Sequence, residues 1–282
     1  LECKLHAIAG CIQNNLYYYV LQFIFGGNHM RIAAIYDIHG NVPALEAVLG
    51  DIKAKDVDLI VVGGDVVAGP FPVETLNLLQ GITSPTQFIL GNSESDVLRC
   101  IEGKPINALS KRAEEVARWI TLQLSTSQKI FLSTWTPTTK IATDKWGEIL
   151  FCHGTPRSNT EIFTQRTSHK NLSSIFESIS SSLVVCGHTH MQFDIHFNNK
   201  RIVNAGSVGM PFGETGADWL SIDDEIHLMH TDYDTDEAAR RIKQSDYPGV
   251  EDFVSNNVLA SPCKETKLEV LSWMEENQLH TV

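Results

Sequence analysis

Three short apolar runs, spaced by helical patterns and each stopped by a polar turn, constrain this chain more than any other feature. The first, Ile32-Ala-Ala-Ile-Tyr36, has the apolar, β-branched character of a strand covered on both faces. It ends in Asp37-Ile-His39-Gly40-Asn41, where Gly40 permits a sharp turn and Asn41-Val-Pro43 opens a helix over about 43–54. The second run, Asp58-Leu-Ile-Val-Val62, ends in Gly63-Gly64-Asp65, and a helix follows Pro72. The third, Thr86-Gln-Phe-Ile-Leu90, ends in Gly91-Asn92. A βαβαβ run of this kind predicts a parallel sheet with helical cover.

Residues 95–134 differ: Arg99, Lys104, Lys111, Arg112, Glu114, Glu115 and Arg118 punctuate apolar positions at helical spacing. They predict a helical insertion near the mouth of a site. Beyond it, Glu148-Ile-Leu-Phe-Cys152 runs into His153-Gly154, and Leu183-Val-Val-Cys186 runs into Gly187-His188-Thr189-His190. Strands at about 192–197, 200–204, 217–222 and 225–230 follow with short turns, Asn198-Asn199 suiting a hairpin, and predict an antiparallel second sheet. Helices are expected over 234–245 and 264–278. The expected class is α/β, with packed sheets, helices outside, and a single domain over 30–282.

The first 29 residues do not share this pattern. Leu16-Tyr-Tyr-Tyr-Val-Leu-Gln-Phe-Ile-Phe25 is apolar, but ten residues fall short of the ~20 that span a bilayer. The preferred reading is an extraneous leader with Met30 as the natural start; the other is an extra segment packed on the body. The net charge of −12 argues against a nucleic-acid-binding surface, which needs a basic footprint. Six cysteines at 3, 11, 100, 152, 186 and 263, none in a Cys-x-x-Cys pair, fit reduced thiols in the cytoplasm better than a disulfide framework.

The polar stops have one thing in common. Asp37, His39, Asp65, Asn92, His153, His188 and His190 all fall at or just beyond the ends of predicted buried strands, where α/β sheets present ligands. Asp37 and His39, two apart on an extended chain, project the same way. Two carboxylates, one amide and four imidazoles suffice for two divalent ions, and a set without thiolate favours Mn, Fe, Zn or Ni over a structural zinc. Strand alternation turns Cys152 and Cys186 away from the site as small core residues. His169, His196, His227, His230 and His280 lack ligand-like spacing, and Trp119, Trp135, Trp146 and Trp219 read as core or cap anchors.

The ordered set Asp37-x-His39, Gly64-Asp65, Gly91-Asn92, His153-Gly154 and Gly187-His188-Thr189-His190 resembles the calcineurin-like metallophosphoesterase superfamily, over roughly 30–230. The resemblance implies two packed mixed sheets flanked by helices. It implies that Asp37, His39 and His190 hold one metal, that Asn92, His153 and His188 hold the other, and that Asp65 bridges. It also makes Asp65, Asn92 and His153 the catalytic residues, with Asn92 touching substrate. Two such ions activate a water and clamp phosphoryl oxygens for in-line attack. Arg157 is either an additional phosphate clamp or a surface arginine in a polar loop. The glycine-rich run Asn204-Ala-Gly-Ser207-Val-Gly-Met-Pro211 is either a pocket wall or a plain turn.

One block departs from the family. Many members carry Gly-Asn-His-Asp or Gly-Asn-His-Glu where this chain has Gly91-Asn92-Ser93-Glu94. The histidine is the expected acid for the leaving group, and a serine hydroxyl is no acid near neutral pH. The departure disfavours the protein phosphatase branch and leaves the small bacterial-type phosphodiesterase-like branch. The expected activity is hydrolysis of a small phosphodiester such as a nucleotide, with good leaving groups cleaved best. A phosphomonoesterase, a protein phosphatase and a metal-binding scaffold with little turnover are the competing expectations.

Overall fold

Burial on both faces sets the middle of the molecule. In a computed structural model describing residues 30–106 and 110–278, the first two apolar runs form strands β1 (Ile32–Ile35) and β2 (Leu59–Val62), buried at every position. The predicted leader and His280 lie outside the described residues. Parallel β1 and β2 pair Ile32 with Leu59 through Ile35 with Val62, and β3 (Thr86–Phe88) continues the sheet in parallel. Ala33, Ile35, Ile60 and Val62 share one cluster with Leu45, Val48 and Ile52 of α1 (Val42–Ala54). Ile32, Ala34, Tyr36 and Val61 face the other way, into a cluster with Ile149, Phe151, Val185 and Val203. One sheet thus separates a helical layer from a second sheet.

The helices start where local chemistry permits. Asn41 caps α1 by accepting from the Ala44 N–H at 3.3 Å, and α2 (Pro72–Gln80) opens on proline. The predicted helical stretch resolves into α3 (Asn92–Ile101), α4 (Lys111–Gln123) and α5 (Thr126–Ser133). Ser110 caps α4 through the Ala113 N–H at 3.1 Å, and the helix buries Val116, Ala117 and Ile120 against the first sheet's helical side. Ser125 and Gln128 form a capping box on α5, and Gln128 also donates to Val73 O and Asn77 Oδ1, tying α5 to α2.

The second sheet has the order β4-β5-β6-β8-β7. Its strands are β4 (Thr138–Thr143), β5 (Gly147–Cys152), β6 (Leu183–Cys186), β7 (Phe193–Phe197) and β8 (Lys200–Asn204). β5, β6 and β8 are parallel, while β4 and β7 add antiparallel edges. Its outer face carries Leu150, Cys152, Val184, Cys186 and Ile202 onto Leu172, Ile175 and Phe176 of α6 (His169–Phe176). Cys152 and Cys186 are therefore packing residues on the far side of the sheet.

The structure departs from the sequence reading in one respect that matters. β9 (Ala217–Ile222) and β10 (Ile226–Thr231) were expected in an antiparallel second sheet; they pair instead with the first, in the order β10-β9-β1-β2-β3. Short turns dictate that β9 pairs with β10, but not which sheet receives the hairpin. β9 is buried at all six positions and needs cover on both faces, which the place beside β1 supplies. The second sheet is consequently mixed. Strand β4, helix α6 and helix α8 (Val250–Asn257) were not anticipated; β4 buries only Ile141 and has no apolar run to betray it. Helices α7 (Thr235–Ile242) and α9 (Lys264–Gln278) lie close to where periodicity put them.

Leu45 is fully buried between α1 and the sheet, whereas Leu122 on α4 is 83% exposed. Leu45→Ala is expected to lower unfolding free energy by about 2–5 kcal/mol, and Leu122→Ala by less than about 0.5 kcal/mol, in denaturant titrations.

Candidate metal centre

The carboxyl ends of five strands meet at one edge of the two sheets. Asp37 and His39 follow β1, Asp65 follows β2, Asn92 is the first residue of α3 after β3, His153 follows β5, and His188 and His190 follow β6. The loops after β1 and β2 run side by side, with Asp37 N donating to Gly64 O (3.0 Å), His39 N to Asp65 O (2.9 Å) and Gly40 N to Val66 O (2.8 Å). Gly187 N donates to His153 O at 2.8 Å, which joins the two loops of the second sheet. The glycine-rich run closes over this edge: Ser207 Oγ and Gly209 N both donate to Asp37 O, at 2.7 and 3.0 Å.

Backbone strain is concentrated here. Asp37, His39, Asp65, His188 and His190 all take positive φ, between 48° and 67°, and among the described non-glycine residues only Asp56 and Asn198 do the same. Each costs of order 1–3 kcal/mol, and such conformations persist where surrounding contacts over-determine them. Close approach demands glycine at position 91: a Cβ there would lie 2.2 Å from Asp65 N and 2.3 Å from its Oδ1.

Backbone carbonyls assign the histidine tautomers. His39 Nδ1 lies 3.1 Å from Ala68 O, His153 Nδ1 2.9 Å from Gly63 O, and His190 Nδ1 3.1 Å from Met210 O. A carbonyl only accepts, so each Nδ1 carries a proton and each Nε2 is the ring atom left facing the centre. His39 Nε2 and His190 Nε2 stand 3.0 Å apart. Asp37 Oδ1 is 3.4 Å from His190 Nε2 and 3.9 Å from those of His39 and His153, and it is fully buried with no hydrogen-bond donor. Its partner Oδ2 accepts from the His188 N–H at 2.8 Å. A buried carboxylate oxygen without a donor is costly, and in neutral rings facing lone pairs repel. A divalent cation satisfies both, so these residues fit one.

A second cluster adjoins the first. Asp65 Oδ1 is 3.5 Å from His153 Nε2, and its Oδ2 is 3.9 Å from His39 Nε2, which sets Asp65 between the two groups. Asn92 turns its amide toward His153 Nε2 (3.1 Å) and His188 Nδ1 (2.9 Å). With the amide nitrogen inward it donates to them; with the oxygen inward it joins two ring nitrogens as a third cation ligand. Two sets, Asp37 with His39 and His190, and Asp65 with His153 and His188, bring ligand atoms within 4.8 Å of one another.

Electrostatics act unevenly on the four rings. Burial and then neighbouring His190 hold His39 below its ordinary range, and burial with His153 pushes His188 down to about 4. Burial alone would raise Asp37, but His190, His153 and His39 outweigh it and hold the carboxyl well below the usual carboxylate range. Burial opposes charge on His153 too, yet Asp65 and Asp37 raise it.

Glu94 organises the site without facing it, and sequence reasoning passed it over. Its fully buried carboxylate accepts from the N–H groups of Asp65 (2.8 Å), Val66 (2.8 Å), Val67 (3.1 Å) and Gly91 (3.1 Å), and from Ser93 Oγ (3.1 Å). It thereby locks the loop after β2 onto the start of α3. Ser93 adds its N–H to Asp65 Oδ1 at 2.8 Å. The available signal was Glu94 at the third position of the helix, where a carboxylate reaches back to the cap.

Arg157 is not brought to the centre. Its Nε donates to both Glu161 carboxylate oxygens (2.9 and 3.2 Å), its Nη1 to Ser174 O (2.8 Å), and it does not line the cavity beside the centre. Of the two sequence readings, the geometry is that of an arginine held in its own loop. The cavity, about 280 Å³, is bounded by His39, Asp65, Asn92 and Ser93 on one side and by α4, Met210 and Tyr247 on the other.

Comparison with known proteins agrees with this architecture. The model of the calcineurin-like phosphoesterase superfamily domain matches residues 30–225, and the chain belongs to that superfamily. The crystal structure of a metallophosphoesterase from Sphaerobacter thermophilus is similar at 25% identity, covering 83% of this chain and 99% of that one, with a TM-score of 0.64. A hypothetical protein from Pyrococcus horikoshii OT3 has the same fold at 18% identity, with a TM-score of 0.69, over 80% of this chain and 96% of its own. An uncharacterized protein of Methanocaldococcus jannaschii is 26% identical over 238 residues, 77% of this chain and 93% of that protein.

Two substitutions probe the centre. Asp65→Asn is expected to weaken Mn²⁺ binding at least about tenfold by isothermal titration calorimetry, and an unchanged affinity would remove Asp65 from between the two clusters. Glu94→Ala strands four buried N–H groups and is expected to cost about 3 kcal/mol or more in urea unfolding.

Proposed function

We propose that this protein is a metal-dependent phosphodiesterase that hydrolyses a small organic phosphodiester with water as nucleophile. The observation that carries the reading is the donorless, buried Asp37 Oδ1 among inward-facing imidazole nitrogens. In this reading Asp37, His39 and His190 hold one divalent ion, Asn92, His153 and His188 hold the other, and Asp65 bridges them. The donor set of nitrogen and oxygen atoms accommodates Mn, Fe, Zn or Ni. Bound there, such ions supply charge neutralisation at phosphorus and an activated water for in-line displacement.

The chain's own residues supply position. The carbonyls of Ala68, Gly63 and Met210 hold three imidazoles in one tautomer, so that no ring reorganises on binding. Glu94 and Ser93 fix Asp65, and Asn92 stands at the boundary between the centre and the cavity, where it can touch both ion and substrate. At the usual place of the leaving-group acid, the Ser93 hydroxyl donates to Glu94 Oε1. Its alcohol is no proton source near neutral pH, which favours substrates whose leaving group departs as a stable anion.

A small cavity bounded by α4 supports a small-molecule substrate over a phosphoprotein. The net charge of −12 disfavours nucleic acid as a stable partner. Among the described residues no helix is long and apolar enough to cross a membrane. The cytoplasm is the compartment we favour, supported by unpaired thiols at Cys100, Cys152, Cys186 and Cys263.

The test compares bis-p-nitrophenyl phosphate with p-nitrophenyl phosphate, with Mn²⁺ and with chelator. We expect faster metal-dependent release from the diester and loss of turnover on chelation. Preference for the monoester would overturn the phosphodiesterase reading, and equal rates with chelator would overturn metal dependence.

A further inference from the structure

The cavity has a second chemical pole. Arg112, in the first turn of α4, is the only lysine or arginine among the described residues that line it. Its described partners are the Pro248 carbonyl, 3.3 Å from Nη2, and the Asp252 carboxylate, 3.5 Å from Nη1. No described hydrogen bond or ion pair joins it to any of the seven candidate metal ligands, so its guanidinium is not engaged by them. In a chain of net charge −12, a cation facing a small-molecule cavity marks a place for an anion.

Its surroundings leave it able to bind one. Side chains of Arg112 and Asp252 are 51% and 74% exposed, and an ion pair this long and this wet is weak and easily exchanged. Arg157 is the contrast, with its guanidinium already forked onto Glu161. Gly249 provides the bed: it takes φ +78°, and a Cβ there would lie 1.3 Å from Arg112 Nη2. The guanidinium therefore rests on bare backbone. Between the two poles, the side chains of Val116, Ile120, Met210 and Tyr247 form a largely apolar wall for an organic group.

We propose that Arg112 receives a second anionic group of the substrate, so that the site selects small organic phosphodiesters carrying a further phosphate beyond the reacting one. The inference rests on the reading that the reacting phosphoryl sits at the Asp/His centre. A planar guanidinium matches a phosphate through two parallel hydrogen bonds, which lysine does not reproduce. The apolar wall carries the part of the molecule that joins the two phosphates.

The probes are thymidine 5′-(p-nitrophenyl phosphate) and the same ester bearing a 3′-phosphate, with Mn²⁺-loaded wild-type, Arg112→Gln, Arg112→Lys and Arg157→Gln proteins. The wild type is expected to favour the 3′-phosphorylated ester by about tenfold or more in kcat/KM, chiefly through KM. Arg112→Gln should bring that ratio near one, Arg112→Lys should keep part of it, and Arg157→Gln should keep it whole. Equal kcat/KM for the two esters in the wild type, or an undiminished ratio in Arg112→Gln, would overturn the proposal. A binding arm separates this outcome from failure of the phosphodiesterase reading. If no ester turns over, calorimetry compares thymidine 3′,5′-bisphosphate with thymidine 5′-phosphate on the Mn²⁺-loaded protein. Tighter binding of the bisphosphate, lost in Arg112→Gln, supports the proposal; equal affinities overturn it.

Discussion

Ring nitrogens and a donorless carboxylate oxygen crowded around one point hold the key to this structure. His39 and His190 bring their Nε2 atoms to 3.0 Å, and Asp37 Oδ1 lies beside them, buried and without a donor. No protein group answers that arrangement, and burial removes the water that otherwise would. The surrounding fold is built to sustain it. Carbonyls outside the cluster pin the imidazole protons, parallel loops pin the carbonyls, and five backbone positions with positive φ keep the side chains aimed inward. Such a cluster is suited to hold a cation.

The architecture explains how such distant residues meet. Two sheets pack face to face through Ile32, Ala34, Phe151 and Val185, and both present the carboxyl ends of parallel strands at the same edge. Each strand ends in a loop with no room for extra atoms, as Gly91 against Asp65 illustrates. Glu94 converts that crowding into rigidity by accepting four N–H groups from two loops at once. The insertion helix α4 then closes one side of the cavity and contributes both its apolar wall and its cation.

Much of the centre was legible before the structure because each candidate ligand follows a short apolar run, and runs of that length, rich in β-branched residues and stopped by glycine turns, read as buried strands. The hairpins at 193–204 and 217–231 were legible too, since short turns force neighbouring strands together. Which sheet receives a hairpin is a different question, answered by the need of fully buried β9 for cover on both faces. Strand β4 escaped notice because it lies at an edge and buries one side chain of six. The capping position of Glu94 was legible, but its three N–H partners 27 to 29 residues away were not, because no spacing rule reaches them.

The amino-acid sequence by itself determined the alternation of elements, the residue types at the strand ends and the family to which they point, because apolar periodicity and turn chemistry act over a few neighbouring residues. Only the tertiary structure decided which arginine faces the cavity. Arg157 sits four residues from His153 yet turns to Glu161, while Arg112 arrives from a helix far along the chain. Side-chain direction at a site depends on which partners compete for it across the fold, and that competition exists only once the strands have brought those partners together.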